Sequence, residues 1–146
     1  MKKFKVYLDN CCFNRPYDDQ TQLKVALETE AKLHIQGLVK SKSMDLVWSY
    51  ILEYENSKNT NKEKMNAISK WRDLSCEFVK QNQEIKDNAT KIMQTGIKAK
   101  DALHIACSIY SKCDCFITVD RRALNYETNE IIVCSPIEFL EVMEDD

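Results

Sequence analysis

Four carboxylate positions hold most of the chemistry this sequence can do. Asp9 ends the aromatic and β-branched run FKVYL at 4–8, Asp120 ends CFITV at 115–119, and Glu53 and Glu55 follow MDLVW at 44–48 by a few residues. Each run reads as a strand, so these acids fall at or just beyond carboxyl ends, where open α/β sheets place their ligand sites. The fourth position, Asp101, interrupts an apolar stretch of helical period carrying Ala99, Ala102, Leu103, Ile105, Ala106, Cys107 and Ile109. An ionised carboxylate in such a place is costly without a compensating partner. Acids that converge repel one another, and the usual resolution is a divalent cation. Oxygen donors without His or Cys favour Mg²⁺ or Mn²⁺ over zinc. A cation so held lowers the pKa of a water and stabilises charge on a leaving oxygen, which is hydrolysis with no side-chain nucleophile.

Other residues invite functional readings with simpler alternatives. Glu53 and Glu55 are two apart, so on a helix they project about 200° from each other and only one can face a site. His104, three residues after Asp101, reads as a packed, hydrogen-bonded histidine rather than a ligand, and His34 reads the same way on its helix stripe. Asp114 precedes its strand and belongs at the edge opposite Asp120. Asp18 and Asp19 read as charge placed before a helix N-terminus. Arg15, Lys98, Lys100, Arg121 and Arg122 lie close in sequence to the acids and suit phosphate contacts, with Tyr17 able to stack a base. The seven cysteines, at 11, 12, 76, 107, 113, 115 and 134, lack the two-residue gap of a zinc or redox motif and read as small buried hydrophobes of a reducing compartment.

The elements that must position these residues follow from periodicity. After the first strand, apolar positions Leu23, Leu27, Ala31, Ile35 and Leu38 mark a long helix from about Gln20 that ends between Gly37 and Ser43. Ser49 can cap a helix over 50–57, Met65, Ile68, Trp71 and Leu74 mark the next, CEFV at 76–79 suits a short strand, and a further helix ends at Gly96. The helix from about Lys98 is apolar over too wide a surface for a solvent-facing one and reads as central. IIVC at 131–134 is the last strand, and Ser135-Pro136 opens a final helix with Ile137, Phe139 and Leu140. Alternating strands and helices imply an α/β architecture with a mainly parallel sheet covered on both faces. With 146 residues and no linker, one domain over 1–146 is expected. Only 2 Gly and 2 Pro exclude a turn-rich β-sandwich or barrel. Lys+Arg 21 against Asp+Glu 23, a net charge of -2, excludes a broad positive field, so nucleic acid must be held by a local patch. No apolar run approaches the roughly 18 residues of a membrane span, and MKKFKVYLDN lacks the apolar stretch of a signal peptide, so a cytoplasmic protein without membrane association is expected.

Four blocks carry a family resemblance. LDN at 8–10, SYILEYE at 49–55, KDALHIA at 100–106 and FITVDRRAL at 116–124 resemble, in order, the signature blocks of PIN-domain nucleases, which include the VapC-like toxin ribonucleases. The resemblance implies a three-layer α/β/α sandwich with an acidic pocket that binds Mg²⁺ or Mn²⁺ and hydrolyses RNA phosphodiesters, leaving 5′-phosphate and 3′-hydroxyl ends. The family roles fall on Asp9, Glu55, Asp101 and Asp120 as catalytic and metal-binding residues, with Thr118 as a supporting hydroxyl. The family's glutamate follows the strand-end Ser by six positions, which selects Glu55 over Glu53. An RNA substrate, an antitoxin protein and a second copy of the chain are the partners it implies. The segment CCFNRPYDDQ after Asp9 departs from the shorter one of typical toxins.

Two other functions compete with a metal-dependent ribonuclease. One is a PIN-like module that binds RNA or protein without cleaving, against which all four acids argue. The other is a phosphatase of the haloacid class with a nucleophilic strand-end aspartate, which wants a second Asp where this sequence has Cys11.

Overall fold

The computed structural model describes residues 2–145. Five strands form one fully parallel sheet: β1 (Lys5–Leu8), β2 (Asp45–Ser49), β3 (Glu77–Val79), β4 (Cys115–Ile117) and β5 (Ile132–Cys134), in the order β3-β2-β1-β4-β5. The helices are α1 (Asn10–Asn14), α2 (Leu23–Lys40), α3 (Tyr50–Ser57), α4 (Lys62–Asp73), α5 (Gln83–Met93), α6 (Ala99–Tyr110), α7 (Arg121–Leu124) and α8 (Pro136–Glu144), with a 3-10 turn over Arg15–Tyr17. Residues of a strand alternate between faces. Phe4, just before β1, packs edge-on against Phe139 of α8 at 5.6 Å, whereas Tyr7 packs against His104 of α6 at 5.5 Å. α8 and α6 therefore cover opposite faces, and the architecture is a three-layer α/β/α sandwich as expected.

Both faces of the middle strands are apolar because both are covered. Val6, Tyr7, Leu8, Leu46, Val47, Trp48, Phe116 and Ile117 are fully buried. Burying one such large side chain contributes about 1.5–3 kcal/mol. Local signals set the helix starts: Ser49, Asn61 and Asn82 each accept a backbone N–H as N-caps, and Ser135 with Glu138 forms a capping box around Pro136. Gly96, at φ 105°, turns the chain from α5 into α6 in a conformation that side-chain-bearing residues rarely adopt. Among the described residues no helix is long and apolar enough to cross a membrane.

The structure corrects several local readings. α2 begins at Leu23, and its buried apolar face is Val25, Ala31, Ile35 and Val39, so Leu23 and Leu27 are exposed and His34 lies in solvent rather than packed. A short helix starts directly at Asn10, with Asp9 as its N-cap. Asp18 and Asp19 do precede α2, but both are engaged locally: Asp18 pairs with Arg15, and Asp19 accepts from the backbone and hydroxyl of Thr21. Asp114 does lie at the far edge of the sheet, where it accepts from Lys5 N–H at 2.8 Å and pairs with Lys2.

Five cysteines are buried, Cys11 is half-buried and Cys76 is exposed. Burial pushes the Cys107 and Cys113 thiols up to about 12, which leaves them protonated and unreactive at neutral pH. A thiol reagent is expected to modify Cys76 first and Cys11 more slowly, with the buried thiols reacting only on unfolding. Rapid reaction of more than two thiols in the native protein, or one zinc per chain by elemental analysis, would contradict this assignment.

Candidate active site

Strand order brings the acids together. β1 lies between β2 and β4, so the segments leaving the carboxyl ends of these three strands are neighbours. Asp9, Glu55, Asp101 and Asp120 all line one open cleft of about 610 Å³ there, together with Asn10, Cys11, Asn14, Asp18, Lys98, Ala99 and Lys100.

Asp9 is held most tightly. It is 4% exposed. Its Oδ1 accepts from Asn10 N–H at 2.7 Å, and its Oδ2 accepts from the Thr118 hydroxyl at 2.8 Å and the Cys11 thiol at 3.4 Å. Thr118 Oγ1 in turn accepts from Asp120 N–H at 3.1 Å, so one buried hydroxyl ties both strand-end aspartates together. Asp120 caps α7, accepting from Arg122 N–H at 2.9 Å. Asp101 stands in the first turn of α6, where the helix dipole favours an acid. Even so its carboxyl is pushed up to about 7, first by burial, then by Asp9 and Asp120, with which it competes for negative charge. Burial and neighbouring carboxylates both disfavour the charged form of an acid.

Glu55 and Glu53 separate as helical geometry requires. Glu53 turns away to an ion pair with Arg72 of α4, whereas Glu55 lines the cleft and is bonded to His104 Nε2. His104 is packed and hydrogen-bonded as expected, and it is also part of the cluster. Its Nε2 lies 3.6 Å from Asp9 Oδ1, and ligand atoms of Asp9, Glu55 and His104 all fall within 4.8 Å of one another. Burial pulls its pKa down, but the carboxylates of Asp9, Glu55 and Asp101 outweigh this and hold it above its ordinary value. Its spacing from Asp101 is the sequence signal that pointed here. The contributions of Asn10, Cys11 and Asn14 had no such signal beyond the capping tendency of Asp9.

The cations do not all face the cleft. Arg15 is taken by Glu28, at 2.8 Å and itself buried, and by Asp18 at 3.0 Å, so it is not available for a phosphate. Tyr17 is exposed and lies under Lys64. Lys98 and Lys100 line the cleft, and Arg121 and Arg122 stand exposed beside Asp120.

No family model and no curated protein matches the sequence. Among solved structures the chain is similar to VapBC2 from Rickettsia felis, determined bound to a DNA fragment from their promoter, with 15% identity, a TM-score of 0.53 and coverage of 88% of this chain and 96% of that one. It is also similar to PAE2754 from Pyrobaculum aerophilum, with 15% identity, a TM-score of 0.54 and coverage of 96% and 94%. This chain has a PIN-like fold. At this identity the likeness is one of fold, and the PIN-like sandwich accounts for the cleft by placing three strand ends side by side.

The two raised pKa values make a pH prediction. A group whose folded pKa exceeds its unfolded one binds its proton more tightly in the native state, so its contribution to stability is lost as pH rises through the folded value. For Asp101 the window runs from 3.8 to about 7, and His104 extends it upward from 6.5. The Asp101 contribution is trimmed by its half-exposed position. In metal-free buffer, the melting temperature of the wild type relative to Asp101→Asn is expected to fall as pH rises across this window. A difference that stays flat, or rises, would remove the crowding of carboxylates.

Proposed function

We propose that this chain is a divalent-cation-dependent ribonuclease that hydrolyses phosphodiester bonds of single-stranded RNA. The observation that supports it most is the convergence of Asp9, Glu55, Asp101 and Asp120 on one cleft, with Asp101 pushed up to about 7 by burial and by its acidic neighbours. The donors fit Mg²⁺ or Mn²⁺, since all four offer carboxylate oxygens. These four acids would hold the cation. When bound, it supplies neutralising charge, a lowered water pKa and stabilisation of the leaving oxygen.

The chain's own residues do the rest. Thr118 and the Asn10 N–H fix both oxygens of Asp9, so the carboxylate needs no reorganisation when substrate arrives. Asp101 surrenders its proton as positive charge enters the cleft, so cation binding is expected to strengthen with pH up to about 7. Lys98 and Lys100 at the rim, with Arg121 and Arg122 beside Asp120, hold phosphates on either side of the scissile bond. Products carry 5′-phosphate and 3′-hydroxyl ends. The likeness to VapBC2 supports a cellular role as the toxin of a toxin–antitoxin pair, with an antitoxin as protein partner.

Purified protein incubated with Mn²⁺ and single-stranded RNA, with double-stranded RNA and a phosphomonoester in parallel, tests the reading. Metal-dependent cleavage of the single strand alone is expected. RNA binding without cleavage would identify a binding module instead, and phosphomonoester release a phosphatase.

Salt dependence gives a further check. A net charge of -2 supplies only a local rim, so the slope of log K against log[salt] should correspond to about two to four released counterions. With Arg15 engaged elsewhere, the contributors are Lys98, Lys100, Arg121 and Arg122. A slope equivalent to about eight contacts would place the substrate on another surface.

A further inference from the structure

Three buried polar side chains that this reading leaves unused run through the centre of the molecule. Ser49 and Tyr7 are 0% exposed and His104 is 1% exposed. Tyr7 Oη lies 2.6 Å from Ser49 Oγ and 2.5 Å from His104 Nδ1, and His104 Nε2 is bonded to Glu55 Oε1. The bonds therefore run from β2 through β1 to α6, and then out to α3 where Glu55 reaches the cleft. The Ser49 hydroxyl that ends this chain also accepts from Leu52 N–H at 3.3 Å, fixing the start of the helix that carries Glu55. A fully bonded polar network in the core is often no more stable than an apolar core of the same shape. Here the network connects to the cleft through Glu55.

We propose that Ser49, Tyr7 and His104 are positioning residues that hold the Glu55 carboxylate, with His104 acting on the cation site through that hydrogen bond and not as a ligand. The inference rests on the metal-centre reading above. A ligating imidazole needs a ring nitrogen whose lone pair is free to face the cation. Here Nδ1 is taken by Tyr7 and Nε2 by Glu55. Glu55 Oε1 is the atom so engaged, which leaves Oε2 for the cation. Outer partners of this kind fix the orientation of metal-binding groups, and their loss costs about 10- to 100-fold in metal affinity.

The test measures Mn²⁺ affinity by calorimetry, apo melting temperature, and pulsed electron paramagnetic resonance of the Mn²⁺-loaded protein. The variants are Tyr7→Phe, which keeps the core ring, His104→Leu and His104→Gln. Tyr7→Phe, which leaves the buried His104 Nδ1 unpaired, and His104→Leu are expected to stay folded with a lowered apo melting temperature and to weaken Mn²⁺ by about 10-fold or more. His104→Gln, whose amide still donates to Glu55, should recover most of that loss. The wild-type spectrum should show no directly coordinated ring nitrogen. Unchanged affinity in Tyr7→Phe and His104→Leu, a loss that His104→Gln does not reverse, or a nitrogen coupling abolished by His104→Gln would overturn the positioning role while leaving the metal centre standing. A wild-type protein that takes up no Mn²⁺ would overturn both.

Discussion

Asp9→Asn and, separately, Asp120→Asn are expected to reduce Mn²⁺-dependent RNA cleavage by at least about 10³-fold while the fold stays intact. Metal-ion stabilisation of a phosphoryl transition state is worth several kcal/mol, which corresponds to a loss of that size. The substitutions are isosteric, and in Asp9→Asn the carboxamide oxygen can still accept a hydrogen bond from the Thr118 hydroxyl or the Asn10 N–H, the two groups that hold Asp9 now. Removing one negative charge also relieves part of the repulsion that, together with burial, pushes Asp101 up to about 7. The apo melting temperature should therefore hold or rise. Circular dichroism melts in chelator, set beside a gel-based cleavage assay, read both quantities. Full activity in either variant would remove the metal site, and loss of activity with a collapsed melt would assign these aspartates to the fold instead.

The second large effect separates two neighbouring glutamates. Glu55→Gln is expected to lose about 10²-fold or more of the cleavage rate, because the charge proposed to hold the cation and its orientation by His104 would both be altered. Glu53→Gln should leave activity unchanged. Its carboxylate is occupied by Arg72 at the surface, with the two side chains 34% and 45% exposed. Such a pair contributes about 0–1 kcal/mol. Rates at saturating Mn²⁺ with both variants settle the matter, and a reversed order would transfer the role to Glu53.

Much of the architecture was legible because its signals are local. The apolar strand runs, the cap residues Ser49 and Ser135, and the helical stripes are decided within a few residues. The strands accordingly fall at 45–49, 77–79, 115–117 and 132–134, within about two residues of the sequence reading. The short helices α1 and α7 escaped notice because four or five residues show no periodicity, although each begins at a capping aspartate. The exposure of His34 and Leu27 escaped for a different reason: a stripe fixes relative angles around α2, and only the packing partner selects which side of the stripe is covered.

The amino-acid order alone determined that acids stand at strand ends, that Glu53 and Glu55 must part company on a helix, and that no broad positive field exists. Each follows from backbone period or from charge arithmetic, which hold before any tertiary contact forms. The tertiary structure decided what depends on residues far apart in sequence. The strand order sets β1 between β2 and β4 and so gathers Asp9 and Asp120, from opposite ends of the chain, around one cleft. Packing of the 3-10 turn against α2 gives Arg15 to the buried Glu28 rather than to a phosphate. The approach of α6 to α3 joins Ser49, Tyr7 and His104 to Glu55. Hydrogen bonds and ion pairs act over a few ångströms, so their partners are fixed only when the chain has closed the distance between them.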